Sequence, residues 1–287
     1  MNRIVQPELL DTLSPTDSRA VRSRRDIRRI NAWMRNPAIM ANALQNQLNG
    51  HGGGRQTATL LREQEKSSSL PGAADPVLHI TELGAGDGNF LLRVAQKISP
   101  RCPDVAVTLL DRQKSVSMDT LVSFAALGWR AETVVADAFA WANHRERRLS
   151  AARQSAPARR LPAGELISNE STSRQDAGAS GVVIANLFLH HFEDERLKEL
   201  LGAIATRARC LVVLEPRRAR WPLFCCRLIW LIGCNSVTRH DAVVSVRAGF
   251  SGRELSALWP DKGQWQLTER RAGPFSHLFM ARRNDPK

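Results

Sequence analysis

Apolar and polar positions along this chain follow two periods. Short, nearly continuous apolar runs read as buried strands: His79 to Leu83, Val105 to Asp111, Ala131 to Ala138, Gly181 to Asn186 and Cys210 to Pro216. Between them lie stretches with helical spacing, including a charged helix from Glu193 to Arg207. Strand and helix thus alternate from Val77 to Pro216, the pattern of a doubly wound parallel sheet. Ahead of this core, residues 17–35 predict a helix capped by Asp17 or Ser18, and a second helix follows near 37–48. Behind it, Ser251-Gly252-Arg253-Glu254 fits a capping box before a helix reaching Trp259. Gln264 to Arg271 and Phe275 to Arg282 read as a closing antiparallel hairpin.

Two features depart from the alternation. His144 to Ser180 is rich in Arg, Ala, Ser, Gly and Pro, with little apolar periodicity. It reads as a flexible insertion, with a substrate lid as the sharper alternative. Trp221 to Ile232, within an expected helix over about 219–233, is strongly apolar but broken by Arg227 and too short to span a bilayer. Burial in the core is expected for most of its residues; lining a pocket or touching a membrane surface stays open.

The chemistry starts at the first strand. Glu82-Leu83-Gly84-Ala85-Gly86-Asp87-Gly88 places an acid two residues before a glycine turn, directly ahead of an apolar helix. A dinucleotide fingerprint reads G-x-G-x-x-G; here the third glycine comes one residue early. Further strand ends carry Asp111, Asp137 and Asn186. In a parallel sheet one crevice collects such positions, and an acid on the second strand can accept both hydroxyls of a ribose.

The run Glu82 to Gly88 resembles motif I of the class I S-adenosylmethionine-dependent methyltransferases. The resemblance extends from about Pro7 to about Arg283. It includes Pro7 to Asp11, Ser23 to Trp33, Val237 to Asp241 and Ser245 to Phe250, which look like a bacterial small-molecule branch related to the quinone-biosynthesis enzymes. It implies an α/β, Rossmann-like, seven-stranded, mostly parallel sheet with a terminal antiparallel hairpin and an N-terminal helical extension. The cap and linker would occupy 1–76 and the catalytic domain 77–287. It also implies S-adenosylmethionine as cofactor, held by Glu82, Gly84, Ala85, Gly86, Gly88, Asp111, Arg112, Asp137, Ala138 and Asn186, with Asp137 on the adenine amino group. The acceptor would be a small, fairly apolar aromatic molecule: phenolic, quinol or polyketide-derived. Whether oxygen, carbon or nitrogen is methylated stays open, as does the oligomeric state.

If the acceptor is a phenol or enol, a base helps, and histidine is the natural candidate. His191 ranks first, His240 second and His190 third. Residues 190 and 191 should diverge at a strand-to-helix turn, and His240 with its neighbour Asp241 should not point together. Arg239 and Arg247 could grip an acceptor anion. No histidine spacing suggests a metal.

Composition adjusts this picture. The 287 residues carry a formal charge of +13, crowded into Arg19 to Arg35 and Arg145 to Arg160. That balance keeps an RNA-modifying enzyme as an alternative. Against it, Asn186-Leu187-Phe188 lacks the prolines of a base-methylating turn, and no Pro-Cys nucleophile follows the fourth strand. A non-catalytic scaffold of the same fold is the third reading. Five cysteines make no C-x-x-C pair, and no signal-peptide pattern opens the chain. Free thiols and a cytoplasmic setting are expected, with peripheral contact to a membrane left open.

Overall fold

A computed structural model describes residues 1–49, 78–143 and 181–284. The expected insertion at 144–180 and the linker leading to residue 76 lie outside the described residues. The sheet has seven strands in the order β3-β2-β1-β4-β5-β7-β6. They are β1 Leu78–Leu83, β2 Val105–Asp111, β3 Arg130–Val135, β4 Val182–Asn186, β5 Cys210–Pro216, β6 Trp265–Ala272 and β7 Ser276–Arg283. Pairings from β3 through β5 are parallel, and β7 is antiparallel to both β5 and β6. The chain order reverses between β1 and β4, so the crevice at their carboxyl ends is a topological switch point.

Alternation along the strands sends side chains to two cores. Val212 and Leu214 of β5 join Ile80 of β1 on one face, while Leu211 and Val213 join Leu83 on the other. The first face is covered by α3 (Asn36–Asn49), α4 (Asn89–Ile98) and α5 (Met118–Ala126) through Met40, Leu44, Leu91, Val94 and Phe124. The second is covered by α6 (Asp194–Arg207), through Leu197, Leu201 and Ile204. The result is a three-layer α/β/α arrangement.

The remaining helices build over the carboxyl edge of the sheet. They are α1 (Leu9–Thr12), α2 (Ser18–Trp33), α7 (Arg220–Cys226) and α8 (Ser236–Ala248); a short α9 (Glu254–Leu258) packs lower, against α6. Asp17 caps α2 by accepting from the Arg19 amide, as the sequence predicts. The buried face of α2 is polar: Asp26 accepts the Asn235 amide at 2.9 Å, and Ser23 meets Thr238 at 3.0 Å. Its exposed face carries Arg22, Arg25 and Arg29. At α9, Glu254 accepts the Ser251 amide at 2.9 Å, the reciprocal half of the expected capping box.

The apolar run after β5 departs from expectation. It forms no single buried helix. The short α7 gives way to a turn at Arg227 and Leu228 and then a 3-10 turn, Ile229–Ile232. Trp221, Phe224, Leu228, Trp230, Leu231 and Ile232 are all exposed. The break keeps the segment from presenting one continuous face to the sheet.

Candidate active site

The β1–α4 turn is shaped by backbone geometry before any ligand is considered. Gly84 has φ +66°, and a Cβ there would lie 2.4 Å from the Phe188 ring, so only glycine fits. Gly86 has φ +55° with open space where its Cβ would be, leaving a gap in the cavity wall. Asp111, at the tip of β2, holds this turn: its carboxylate accepts the Gly86 amide and the Gln113 amide, each at 2.8 Å. Asp137, past β3, accepts the Phe139 amide at 2.9 Å. Each carboxylate keeps lone pairs for further donors.

At the strand ends, two buried oxygen atoms have no hydrogen-bond partner among the described residues: Glu82 Oε2 and Asn186 Oδ1. Such acceptors cost about 1–3 kcal/mol each when left unmade. Burial, with Asp87 and Asp111 nearby, pushes the Glu82 carboxyl well above the usual carboxylate range. Leu187, next after Asn186, sits at φ +54°, a strained backbone for a residue with a Cβ, on the cavity wall.

These residues share one cavity of about 730 Å³, within the roughly 300–1,000 Å³ usual for small-molecule sites. Of the ten residues expected to bind a cofactor, all but Gly88 line it. Gly88 instead starts α4, where a Cβ would press on Leu109 and Thr120 at 3.0 and 3.1 Å. Opposite the strand ends, Ile27 and Ile30 of α2, Met34 just past it and Pro222 of α7 face in, beside the polar Arg24, Arg28 and Asn31. Cys226 also faces in, but burial and then neighbouring Cys225 push its thiol up to about 12, so it offers no thiolate.

The histidines are arranged differently from expectation. His190 and His191 do not diverge: their rings stack with centroids 4.3 Å apart at 29°. A 3-10 turn, Leu189–His191, keeps both side chains on one side. His190 is buried between two carboxylates, with Nδ1 2.7 Å from Glu215 Oε2 and Nε2 3.1 Å from Glu8 Oε1. Burial alone would lower its pKa, but Glu215 and Glu8 outweigh that and raise it to about 9. Burial works against the Glu8 carboxylate as well, yet His190 and His191 hold it well below its usual range. His190 is therefore an imidazolium clamped on both sides, unsuited to taking up a proton.

His191 is held differently. Its Nδ1 lies 2.9 Å from the Phe188 carbonyl, which can only accept, so the ring proton sits there. Nε2 makes no hydrogen bond of good geometry among the described residues. It stands 3.4 Å from Glu8 Oε2 and 3.8 Å from Asp11 Oδ2, and all three residues line the cavity.

His240 does bond its neighbour, with Nδ1 2.9 Å from Asp241 Oδ1, but its ring is half exposed and off the cavity wall. The helical turn of α8 aims it outward. Arg239 and Arg247, on the same helix, also lie off the wall. Asp241 is the member of the pair that faces in, and it accepts the Leu9 and Leu10 amides at 2.8 and 3.0 Å, anchoring α1 over the site.

The site residues that sequence reasoning passed over are Glu8, Asp11 and Glu215. Glu215 had a visible signal, an acid ending the fifth strand. Glu8 had none, since it meets His190 from 182 positions away. Glu8, His190 and His191 also bring one donor atom each to within 4.8 Å of one another, a cluster no linear histidine spacing reveals.

No protein-family model matches the sequence, and no curated protein matches it. Solved structures do. The plantazolicin methyltransferase BpumL, in complex with a monoazolic desmethylPZN analog and SAH, aligns over 94% of this chain and 92% of its own, at 11% identity and a TM-score of 0.50. The chain has the class I methyltransferase fold. An O-methyltransferase family protein from Burkholderia thailandensis aligns over 80% of this chain at 18% identity and a TM-score of 0.43. The mitomycin 7-O-methyltransferase MmcR aligns over 80% at 17% identity and a TM-score of 0.42. This chain spans only 59% and 55% of those two proteins.

Proposed function

We propose that this protein is an S-adenosylmethionine-dependent methyltransferase acting on a small, apolar aromatic acceptor with a phenolic or quinol hydroxyl. The observation that carries the reading is the convergence, on one cavity, of the strand-end groups Glu82, Asp111, Asp137 and Asn186 with the free Nε2 of His191. The chain's residues fit the cofactor. Asp111 and Asp137 keep lone pairs for ribose and adenine donors, the unpartnered Glu82 and Asn186 oxygens suit an ammonium or hydroxyl, and the open wall at Gly86 admits close approach.

When bound, S-adenosylmethionine supplies a methyl group already activated by a positive sulfur. The protein's part is alignment, exclusion of water and removal of one proton. The apolar side chains Ile27, Ile30, Met34 and Pro222 orient a flat acceptor. The aromatic pair Phe188 and Phe192, edge to face at 5.2 Å, closes the side nearest His191. His191 Nε2 would take the acceptor's hydroxyl proton, the methyl group coming from the bound cofactor. Glu8 and Asp11 then face the resulting imidazolium.

The test is calorimetric titration with S-adenosylhomocysteine in high salt. Micromolar binding that is lost in Asp111→Ala, in a sample that still unfolds cooperatively, is expected. A folded wild-type protein that does not bind overturns the reading.

A further inference from the structure

The segment after β5 has two faces. Pro222, Cys225, Cys226 and Ile229 look into the cavity. Trp221, Phe224, Leu228, Trp230, Leu231 and Ile232 look out, with Trp221 58%, Trp230 55% and Leu231 63% exposed. Trp33, at the end of α2, is 67% exposed and also lines the cavity, so the ridge and this ring stand at its mouth. Exposed apolar residues scattered singly need no account, but a contiguous run beside a binding cavity does.

The exposed charge within the ridge segment is basic, while Arg218 is buried against Glu254 and Arg29 also pairs with Asp26 at 3.4 Å. From Arg217 to Ser236 the chain contains four arginines and no acid. Arg220 and Arg227 are exposed within the run, and Arg239 is exposed just beyond it. Arg29 donates to the Ile232 carbonyl at 2.8 Å. That bond sets the exposed basic stripe of α2, Arg22, Arg25 and Arg29, alongside the ridge.

We propose that this ridge docks on an anionic lipid bilayer surface, seating the cavity mouth against the headgroups so that a lipophilic acceptor enters from the membrane. Tryptophan, phenylalanine and leucine flanked by arginine suit the interface, where rings sit at headgroup depth and cations meet anionic lipid. A second copy is the poorer occupant, because a two-fold contact would bring basic rim against basic rim in a protein of formal charge +13. No helix among the described residues is long and apolar enough to cross a membrane, so contact at the surface is what the geometry offers. The docking surface stands without the methyl-transfer reading; only the identity of the molecule passing through the mouth rests on it.

The test uses the full chain in sedimentation with phosphatidylcholine vesicles, with and without phosphatidylglycerol. Wild-type protein is expected to sediment with the anionic vesicles and to be released by salt. The double variant Trp230→Ser, Leu231→Ser should partition about ten-fold more weakly, the size expected for two partly inserted apolar side chains. Its affinity for S-adenosylhomocysteine should match wild type, showing an intact fold. Independently of any variant, bromine-labelled acyl chains should quench wild-type tryptophan fluorescence.

Several outcomes overturn the proposal: no sedimentation of wild type, no quenching, or equal partition of variant and wild type, which would mean charge alone. A concentration-dependent dimer that the variant abolishes, with no vesicle binding, would assign the ridge to a second copy instead. Vesicle docking without any S-adenosylhomocysteine binding would sink the methyl-transfer reading and leave the docking surface standing.

Discussion

Glu82→Gln separates cofactor recognition from fold. Glu82 is 2% exposed, its Oε2 has no partner among the described residues, and burial beside Asp87 and Asp111 raises its pKa well above the ordinary carboxylate range. Burial thus favours the protonated carboxyl in the ligand-free protein. An arriving ammonium group would convert it to a carboxylate in a charge-assisted hydrogen bond worth about 1.5–3 kcal/mol. Replacing it with the isosteric amide should weaken S-adenosylhomocysteine binding by roughly 10- to 150-fold.

The same substitution should not destabilise the free protein. An acid with a raised folded-state pKa keeps a proton that the unfolded chain releases above the ordinary value of 4.5. Stability from this group therefore falls as pH rises from there, and glutamine removes the penalty. The assay is titration calorimetry in buffers of different ionisation enthalpy, with thermal unfolding alongside. Wild type should release a proton on binding and the variant none. An unchanged dissociation constant, or no proton release by wild type, would refute the reasoning.

Two further outcomes follow from the histidine pair. His191→Gln removes the free Nε2 and should lower turnover of a phenolic acceptor by about 100-fold or more while S-adenosylhomocysteine binds as before; full activity would remove His191 as the base. The Glu8–His190 contact should give stability a defined pH window. Because the His190 pKa rises from 6.5 to about 9, its contribution is complete below the lower value and is lost as pH climbs through the upper one. Because Glu8 is held below its ordinary 4.5, its contribution is present above that value and lost in acid. The unfolding free-energy difference between wild type and Glu8→Gln should therefore be largest between these limits and shrink toward pH 9, as measured by denaturant titration across pH. A difference independent of pH would mean that the contact carries no charge.

Part of this site was legible in the chain itself. Strand positions follow from apolar runs, and a glycine turn follows from spacing, because both depend on neighbouring residues only. Glu82, Asp111, Asp137 and Asn186 could be assigned to one crevice since a parallel sheet delivers every carboxyl end to the same edge. Gly88 shows where the inference weakens: its place in the motif is local, but which side of the turn faces the cavity is set by Leu109 and Thr120.

Tertiary structure decided what depends on distant partners. Glu8 reaches His190 across 182 positions and Glu215 reaches it across 25, and no local pattern encodes either meeting. That clamp makes His190 a fixed cation and leaves His191 as the residue with a free nitrogen, a division the sequence His190-His191 cannot express. The apolar run after β5 is the counterpart. Its composition suggested burial, but burial requires a surface to pack against. The turn at Arg227 and Leu228 splits the run into one face toward the cavity and another toward solvent.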